Sequence, residues 1–161
     1  MSVYFRPSLE AFMEIRDALN LIHRIENLPE MYNKIEMAVC SVIHSYFEEM
    51  LNVEKKESAI MEREDYGSDD LSPFLDQKRS IHDKYWSNPS AYYRPCSSSS
   101  EPRHVWAYLC DIEVLQNGDD ENSLFIFKAN YKRPNSSASI VKAFILKVSG
   151  SSLKIEHEFF G

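Results

Sequence analysis

Glycine and cysteine are both scarce in this chain: 161 residues include four glycines and three cysteines. So little glycine argues against collagen-like repeats, flexible linkers and disorder. The cysteines, Cys40, Cys96 and Cys110, are odd in number and have no C-x-x-C spacing. Reduced thiols fit that usage better than a disulfide framework or a zinc site.

Long apolar runs are missing as well. No stretch approaches the roughly 18 apolar residues that would span a membrane. Residues 1–6 lack the basic start and the apolar run of a signal peptide. The sequence therefore predicts a cytoplasmic protein with no membrane partner.

A basic excess is also absent, since the formal net charge is -7 and the isoelectric point is near 5.2. This balance disfavours nucleic acid as a partner, because affinity for phosphates comes largely from Lys and Arg. A basic protein is the better expectation. Residues 48–76 concentrate the charge, with ten Asp and Glu against three Lys and Arg. This segment is either a solvated face or a docking surface, and charge patterning alone leaves both open.

Apolar residues make up 43% of the chain and aromatic residues 12%, which is enough for the core of one domain over residues 1–161. Helical periodicity occupies residues 8–86, a loop rich in proline and serine occupies 87–103, and strand alternation occupies 104–160. The predicted fold class is α+β, with N-terminal helices packed on an antiparallel meander.

Three helices are predicted. The first follows Ser8 and carries an apolar stripe formed by Phe12, Ile15, Leu19 and Ile22. The second runs from Ile35 past Met50, and its stripe thins over residues 52–64. The third starts at Ser72-Pro73, where a capping hydroxyl precedes a proline suited to the first helical position.

Four strands are predicted, and they read as consecutive hairpins. They begin at His104, Ser123, Ser139 and Ser152, and the last ends at Phe160. Alternation places Trp106, Tyr108, Cys110, Ile112 and Val114 on one face of the first strand. Both faces of the central strands are apolar, so the sheet needs cover on both sides. The predicted core comprises Phe12, Ile15, Val39, Ile43, Phe47, Trp106, Ile126, Phe144 and Ile155.

Catalytic and metal-binding motifs are absent from the sequence. The five histidines share no metal-ligand spacing. His82-Asp83 and His157-Glu158 are adjacent pairs, and adjacent side chains point in different directions. The sequence thus predicts no metal, no cofactor and no enzymatic activity.

Aromatic residues flank the third helix beside the acidic segment, and Tyr and Trp among charges are typical of protein interfaces. The alternative is that Trp86 and one tyrosine cap the core. The predicted partner-binding set is Glu62, Glu64, Asp65, Tyr66, Asp69, Asp70, Trp86, Tyr92 and Tyr93.

The order of elements, with a final hairpin at residues 141–148 and 153–156, resembles the cone-shaped nuclear-transport-factor-2-like fold. The stretch 46–55 is similar to the second helix of one branch of that fold, the immunity proteins of bacterial polymorphic and contact-dependent toxin systems. The chain departs from that branch at Val53 and Lys154, where the branch often has Trp. The resemblance implies a curved sheet and an immunity protein that occludes the active site of a basic, nuclease-type cognate toxin.

Two other functions stay open at this stage. The same fold hosts isomerases and dehydratases that use a His or Asp base, and Asp111, Glu113 and His157 are the candidates that would point inward. The apolar sheet also suits an accessory multimerising module, or a homodimer formed through the sheet face.

Overall fold

A helix of 34 residues, α1, runs from Leu28 to Met61. The computed structural model describes residues 28–88, 101–117, 124–149 and 152–160. The predicted first helix, with Phe12, Ile15, Leu19 and Ile22, lies outside these residues. Pro29 stands in the first turn of α1, where its missing N–H removes no helical hydrogen bond.

After α1 the described residues form a second helix and then four strands. Helix α2 spans Ser68–Tyr85, and a 3₁₀ turn spans Trp106–Tyr108. The strands are β1 (Leu109–Asn117), β2 (Leu124–Tyr131), β3 (Ile140–Ser149) and β4 (Ser152–Phe160). Helices followed by an antiparallel sheet confirm the α+β class. No helix in the described ranges is both long enough and apolar enough to cross a membrane.

The chain divides into two compact units. The sheet unit combines Met1–Ile43 with Tyr108–Gly161, and the helical unit is His44–Ala107. Helix α1 therefore contributes its first half to one unit and its second half to the other.

The sheet is an antiparallel meander in the order β1-β2-β3-β4. Its register places Phe125 opposite Leu146 and Phe127 opposite Phe144, and Leu146 in turn lies opposite Ile155. All five of these side chains are buried. The other face of the central strands carries partly exposed apolar residues such as Ile126 and Ile145. Both faces of β2 and β3 are thus apolar, as predicted.

The core prediction is largely confirmed within the described residues. Val39, Ile43, Phe47, Phe144 and Ile155 have no solvent exposure. Trp106 and Ile126 are only partly buried, because one lies in the 3₁₀ turn and the other on the second face of the sheet.

The predicted first strand was wrong in its start and in its face. β1 begins at Leu109 rather than His104. The register with β2 shifts between Cys110 and Glu113, and Asp111 has a positive φ of 53°. This bulge shifts the alternation by one residue: Val114 lies opposite the buried Phe127, whereas Cys110 lies opposite Asn130 and is exposed, so Cys110 and Val114 do not share a face.

Helix α2 begins about one turn earlier than predicted. The carboxylate of Asp70 accepts the backbone N–H of Gly67 at 2.8 Å, which satisfies a donor at the helix start. Asp69 and Asp70 also lie at the positive end of the helix dipole. Pro73 consequently lies inside the helix rather than at its first position.

Candidate functional site

The predicted acidic residues lie together on the loop that joins α1 to α2 and on the first turn of α2. Residues 62–70, called the acidic loop below, are all exposed. They hold five carboxylates and a single cation, Arg63, whose Nε lies 3.4 Å from Asp65 Oδ1. No described cation forms an ion pair with Glu62, Glu64 or Asp69. The loop is therefore a concentrated source of negative potential.

Five of the nine predicted partner-binding residues are the exposed carboxylates of this loop, and a sixth, Tyr66, keeps 40% of its surface exposed. Trp86 is only half-buried and packs inside the helical unit: its ring stacks on His82 and meets Tyr46 edge-on. These contacts favour the alternative role predicted for Trp86, as a cap on the core. Tyr92 and Tyr93 lie outside the described residues.

Glu54 forms a buried polar centre in the helical unit. Its Oε2 accepts the backbone N–H of Arg103 at 3.0 Å, and its Oε1 accepts the backbone N–H of His104 at 2.9 Å. The same Oε1 lies 3.1 Å from His104 Nδ1. One side chain of α1 thereby holds the segment 101–107 at three points.

The electrostatics of this centre favour an ionised Glu54. Burial raises the pKa of the carboxyl, but the hydrogen bond and charge of the His104 side chain and the two backbone donors outweigh it, so the pKa lies below its usual value. A carboxylate only accepts, so His104 Nδ1 must carry a proton, and in the neutral ring Nε2 is then an acceptor. The rings of Tyr46 and Phe47 meet this imidazole edge-on at 5.3 and 5.1 Å.

Two ion pairs join α1 to α2. Glu57 and Lys78 form a pair in which both side chains are buried. Lys84 Nζ lies 2.9 Å from Glu49 Oε1 in a more exposed pair. Since Glu49 meets Lys84 and Glu57 meets Lys78, the two helices run antiparallel here. The buried faces in this part of the helical unit are thus partly charged, which explains why the apolar stripe of α1 thins.

A second histidine of the helical unit, His82, is buried. It is 4% exposed, stacks on the Trp86 indole with centroids 5.0 Å apart, and its Nε2 lies 3.0 Å from the carbonyl oxygen of Asn88. Burial lowers the pKa of His82, although the Asn88 carbonyl and Asp83 oppose that effect. The lowered pKa favours the neutral form of the ring.

The residues proposed from sequence for the enzyme alternative do not point inward. Asp111, Glu113 and His157 are all exposed, so that expectation was wrong. The bulge of β1 turns Asp111 towards Asn130, whose Nδ2 donates to it at 3.0 Å. Within the described part of the chain, no three His, Cys, Asp or Glu side chains gather as a metal site.

Sequence reasoning missed the centre at Glu54. One signal could have found it: Glu54 continues the buried helical positions Phe47 and Met50, so it lies where an apolar residue is expected. The residues that satisfy it come about fifty positions later, and no local pattern reports them.

Comparison with protein-family models, with curated proteins and with solved structures finds no match to this chain. The function is therefore argued from the geometry described above.

Proposed function

We propose that this protein binds a basic protein partner through the acidic loop, and that the partner is a cognate toxin domain that it neutralises as an immunity protein. The exposed carboxylates of residues 62–70 around Tyr66 carry this proposal. A nuclease-type toxin would present a basic cleft for its nucleic acid substrate, and the acidic loop would occlude that cleft.

The charge arrangement supports fast association. Glu62, Glu64 and Asp69 are exposed and have no described ion-pair partner, so their field is not cancelled locally. Exposed charges of one sign steer an oppositely charged protein and raise its association rate at low salt.

Tyr66 would contribute to the affinity for the partner rather than to the association rate. It lies at the centre of the acidic loop and keeps 40% of its surface exposed. Tyrosine is enriched among the residues that dominate binding energy, because one ring buries a large area and its hydroxyl can form a hydrogen bond. A basic partner would thus be steered by the carboxylates and anchored by this ring.

The first test is genetic. The product of the adjacent upstream gene is expressed alone and together with this protein. Growth arrest by that product alone, with growth restored by co-expression, supports the proposal. Lack of toxicity, or toxicity that co-expression does not relieve, contradicts it.

The second test locates the surface on the purified toxin domain by stopped-flow association at low and high salt. The triple variant Glu62→Lys, Glu64→Lys, Asp69→Lys should slow association by at least about tenfold at low salt and flatten its salt dependence. Asp70 is left unchanged because it caps α2. The control, Glu36→Lys, Glu48→Lys, Glu113→Lys, changes the net charge equally at exposed positions elsewhere and should have a much smaller effect.

The third test separates anchoring from steering. Tyr66→Ala should leave the association rate nearly unchanged and speed dissociation, with a loss of about 2 kcal/mol of binding free energy if the ring is a hot spot.

One outcome of the second test would contradict the proposed surface. Equal association rates for the triple variant and its control would place the interface away from the acidic loop.

A further inference from the structure

The sheet presents one face that is only partly covered, and it is called the outer face below. Its side chains alternate along β2 and β3 with the buried Phe127 and Phe144. Phe159 on β4 is 52% exposed, and Ile126 and Ile145 near the centre are partly exposed. An apolar patch on an accessible sheet face is a common sign of an interaction site. The outer face is therefore a candidate contact surface, and its charges indicate the occupant.

The strand register fixes which side chains of the outer face are neighbours. A central row across the sheet comprises Leu115, Ile126, Ile145 and His157. One flanking row comprises Glu113, Lys128, Ala143 and Phe159. The other flanking row includes Leu124 on β2, Lys147 on β3 and Lys154 on β4. Neighbouring strands are about 4.8 Å apart and neighbouring rows about 6.8 Å apart.

Opposite charges lie at opposite corners of these rows. Glu113 is on the edge strand β1 in one flanking row, whereas Lys147 and Lys154 are on β3 and β4 in the other. The second diagonal of the face ends at Phe159. Such a face is complementary to itself when the acidic corner of one copy meets the basic corner of another.

Only one way of packing two such faces makes these corners meet. Two sheets pack face to face with their strands either nearly aligned or nearly at right angles. In the aligned arrangement, a two-fold axis places Glu113 over Phe159 or over the far end of β1. A right-angle crossing about an axis through Phe159 instead places each Glu113 over Lys147 and Lys154 of the other copy. About the other diagonal Glu113 would meet Glu113, so charge selects the axis through Phe159.

The same orientation also brings apolar side chains of the two copies together. Ile126 and Ile145 of both copies cluster around the axis, and the two Phe159 rings meet on the axis. Leu124 of each copy lies over Leu115 of the other. These positions follow from the register and from the spacings of strands and rows. The contact therefore has an apolar centre and charged corners, as protein interfaces commonly have.

We propose that the outer face binds the outer face of a second copy of this chain, in a two-fold dimer whose sheets cross at about a right angle. Burial of Ile126, Ile145 and Phe159 drives association. The contact of Glu113 with Lys147 and Lys154 sets the orientation. This dimer does not depend on the proposed toxin partner, because none of its contact residues belongs to the acidic loop.

The contact area sets the expected affinity. Four strands about 4.8 Å apart give a square overlap about 19 Å on each side. An interface of this size is at the small end of the specific range, so we expect a dissociation constant of about 1 to 100 µM. Lys128 lies near His157 of the other copy, and a neutral imidazole accepts a hydrogen bond from an ammonium group.

The first test is sedimentation equilibrium of the purified chain at low salt, from about 1 µM to about 500 µM, a range that brackets the expected constant. We expect a monomer–dimer equilibrium. Phe159→Asp places two carboxylates together on the axis and should weaken dimerisation at least about a hundredfold. Met37→Asp, at a position 61% exposed on α1, is the matched control and should leave dimerisation unchanged. Thermal unfolding of both variants checks that the monomer stays folded.

The second test exchanges the charges. Glu113→Lys should weaken dimerisation at least about tenfold, and so should the double variant Lys147→Glu, Lys154→Glu. Glu113→Lys also reduces the net negative charge, which alone would favour association, so a loss of affinity reports the contact itself. The triple variant with all three changes should recover most of the parent affinity. The matched control Lys55→Glu, Lys56→Glu reverses two exposed cations of α1 and should change the affinity less than about threefold.

Three outcomes overturn the proposal. The first is a protein that stays monomeric at about 500 µM. The second is a dimer that Phe159→Asp leaves intact, because its interface would then lie elsewhere. The third is a triple variant that dimerises as weakly as the double variant, because the right-angle orientation requires these charges to meet. The charge variants decide the question if Phe159→Asp fails to fold.

Discussion

The Glu54 side chain holds a segment that is distant in sequence in its place in the fold. Its carboxylate accepts donors from residues 49 and 50 positions away. An ionised acceptor that satisfies several buried donors is stronger than a neutral one. The burial of this charge is therefore favourable only because the segment 101–107 supplies the donors.

Replacing Glu54 by Gln should destabilise the protein by about 2 to 4 kcal/mol. The amide keeps the shape but loses the charge, and its NH₂ group turns towards one of the backbone donors. Denaturant unfolding at neutral pH measures the change. Glu36→Gln, at an exposed position, is the control and should stay within about 0.5 kcal/mol.

The pH dependence of stability gives an independent check on Glu54. Because the folded state depresses its pKa from the ordinary value of 4.5, its contribution is present above pH 4.5 and is lost as the pH falls through the folded value. The parent should therefore lose more stability than Glu54→Gln below pH 4.5. Parallel pH profiles for the two proteins would show that Glu54 is not the ionised acceptor.

Gln116 lies on β1 with both atoms of its side-chain amide buried and without a hydrogen bond. A buried polar group without a partner costs free energy that an apolar group of similar size does not. Gln116→Met should therefore raise the free energy of unfolding by about 1 kcal/mol. A loss of stability would contradict this account of the Gln116 amide.

At the scale of elements, the strands were predicted best. Period-two alternation placed β4 at its observed bounds and placed the starts of β2 and β3 within one residue. The start of β1 was misplaced because residues 106–108 form a 3₁₀ turn. Its faces were misassigned because an extra residue in the bulge at Asp111 shifts the alternation. The start of α2 was misplaced because Pro73 favours a first helical position, whereas the Asp70 cap extends the helix backwards.

The sequence predicted the exposed part of the candidate site but not its buried charges. Charge counting located the acidic loop, because exposure of such a run follows from its composition alone. Glu54, Glu57 and Lys78 were not found, because burial of a charge depends on partners that only the tertiary fold brings together. Two alternative roles were predicted for Trp86, in partner binding and as a cap on the core. Its stack on His82 could not be predicted, because it depends on the path of the chain after α2.

The α1–α2 pair offers a test of its buried ion pair. Lys78→Met removes the cation that Glu57 meets inside the protein, and breaking such a pair should cost about 3 kcal/mol. The double variant Glu57→Leu, Lys78→Met should recover most of that loss. Lys84→Met breaks the more exposed pair with Glu49 and should cost less than about 1 kcal/mol. A double variant as unstable as Lys78→Met would contradict this account.

At the scale of the whole molecule, both units contain fully buried aromatic side chains. Phe47 belongs to the helical unit and Phe144 to the sheet unit, and neither has any exposure. Truncating either to Ala should cost about 3 to 5 kcal/mol, measured by denaturant unfolding. Phe159→Ala, at a position 52% exposed, should cost far less. A midpoint unchanged by Phe47→Ala or Phe144→Ala would remove that residue from the core.

The division of α1 between two units has a consequence for the newly made protein on the ribosome. The helical unit ends at Ala107, and all four described strands are synthesised after it. Ile35, Val39 and Ile43, on the first half of α1, belong to the sheet unit, whose strands are not yet made at that point. At roughly 5 to 20 residues per second, that interval lasts about 3 to 11 seconds. We expect a chaperone to bind this apolar helix face during that interval.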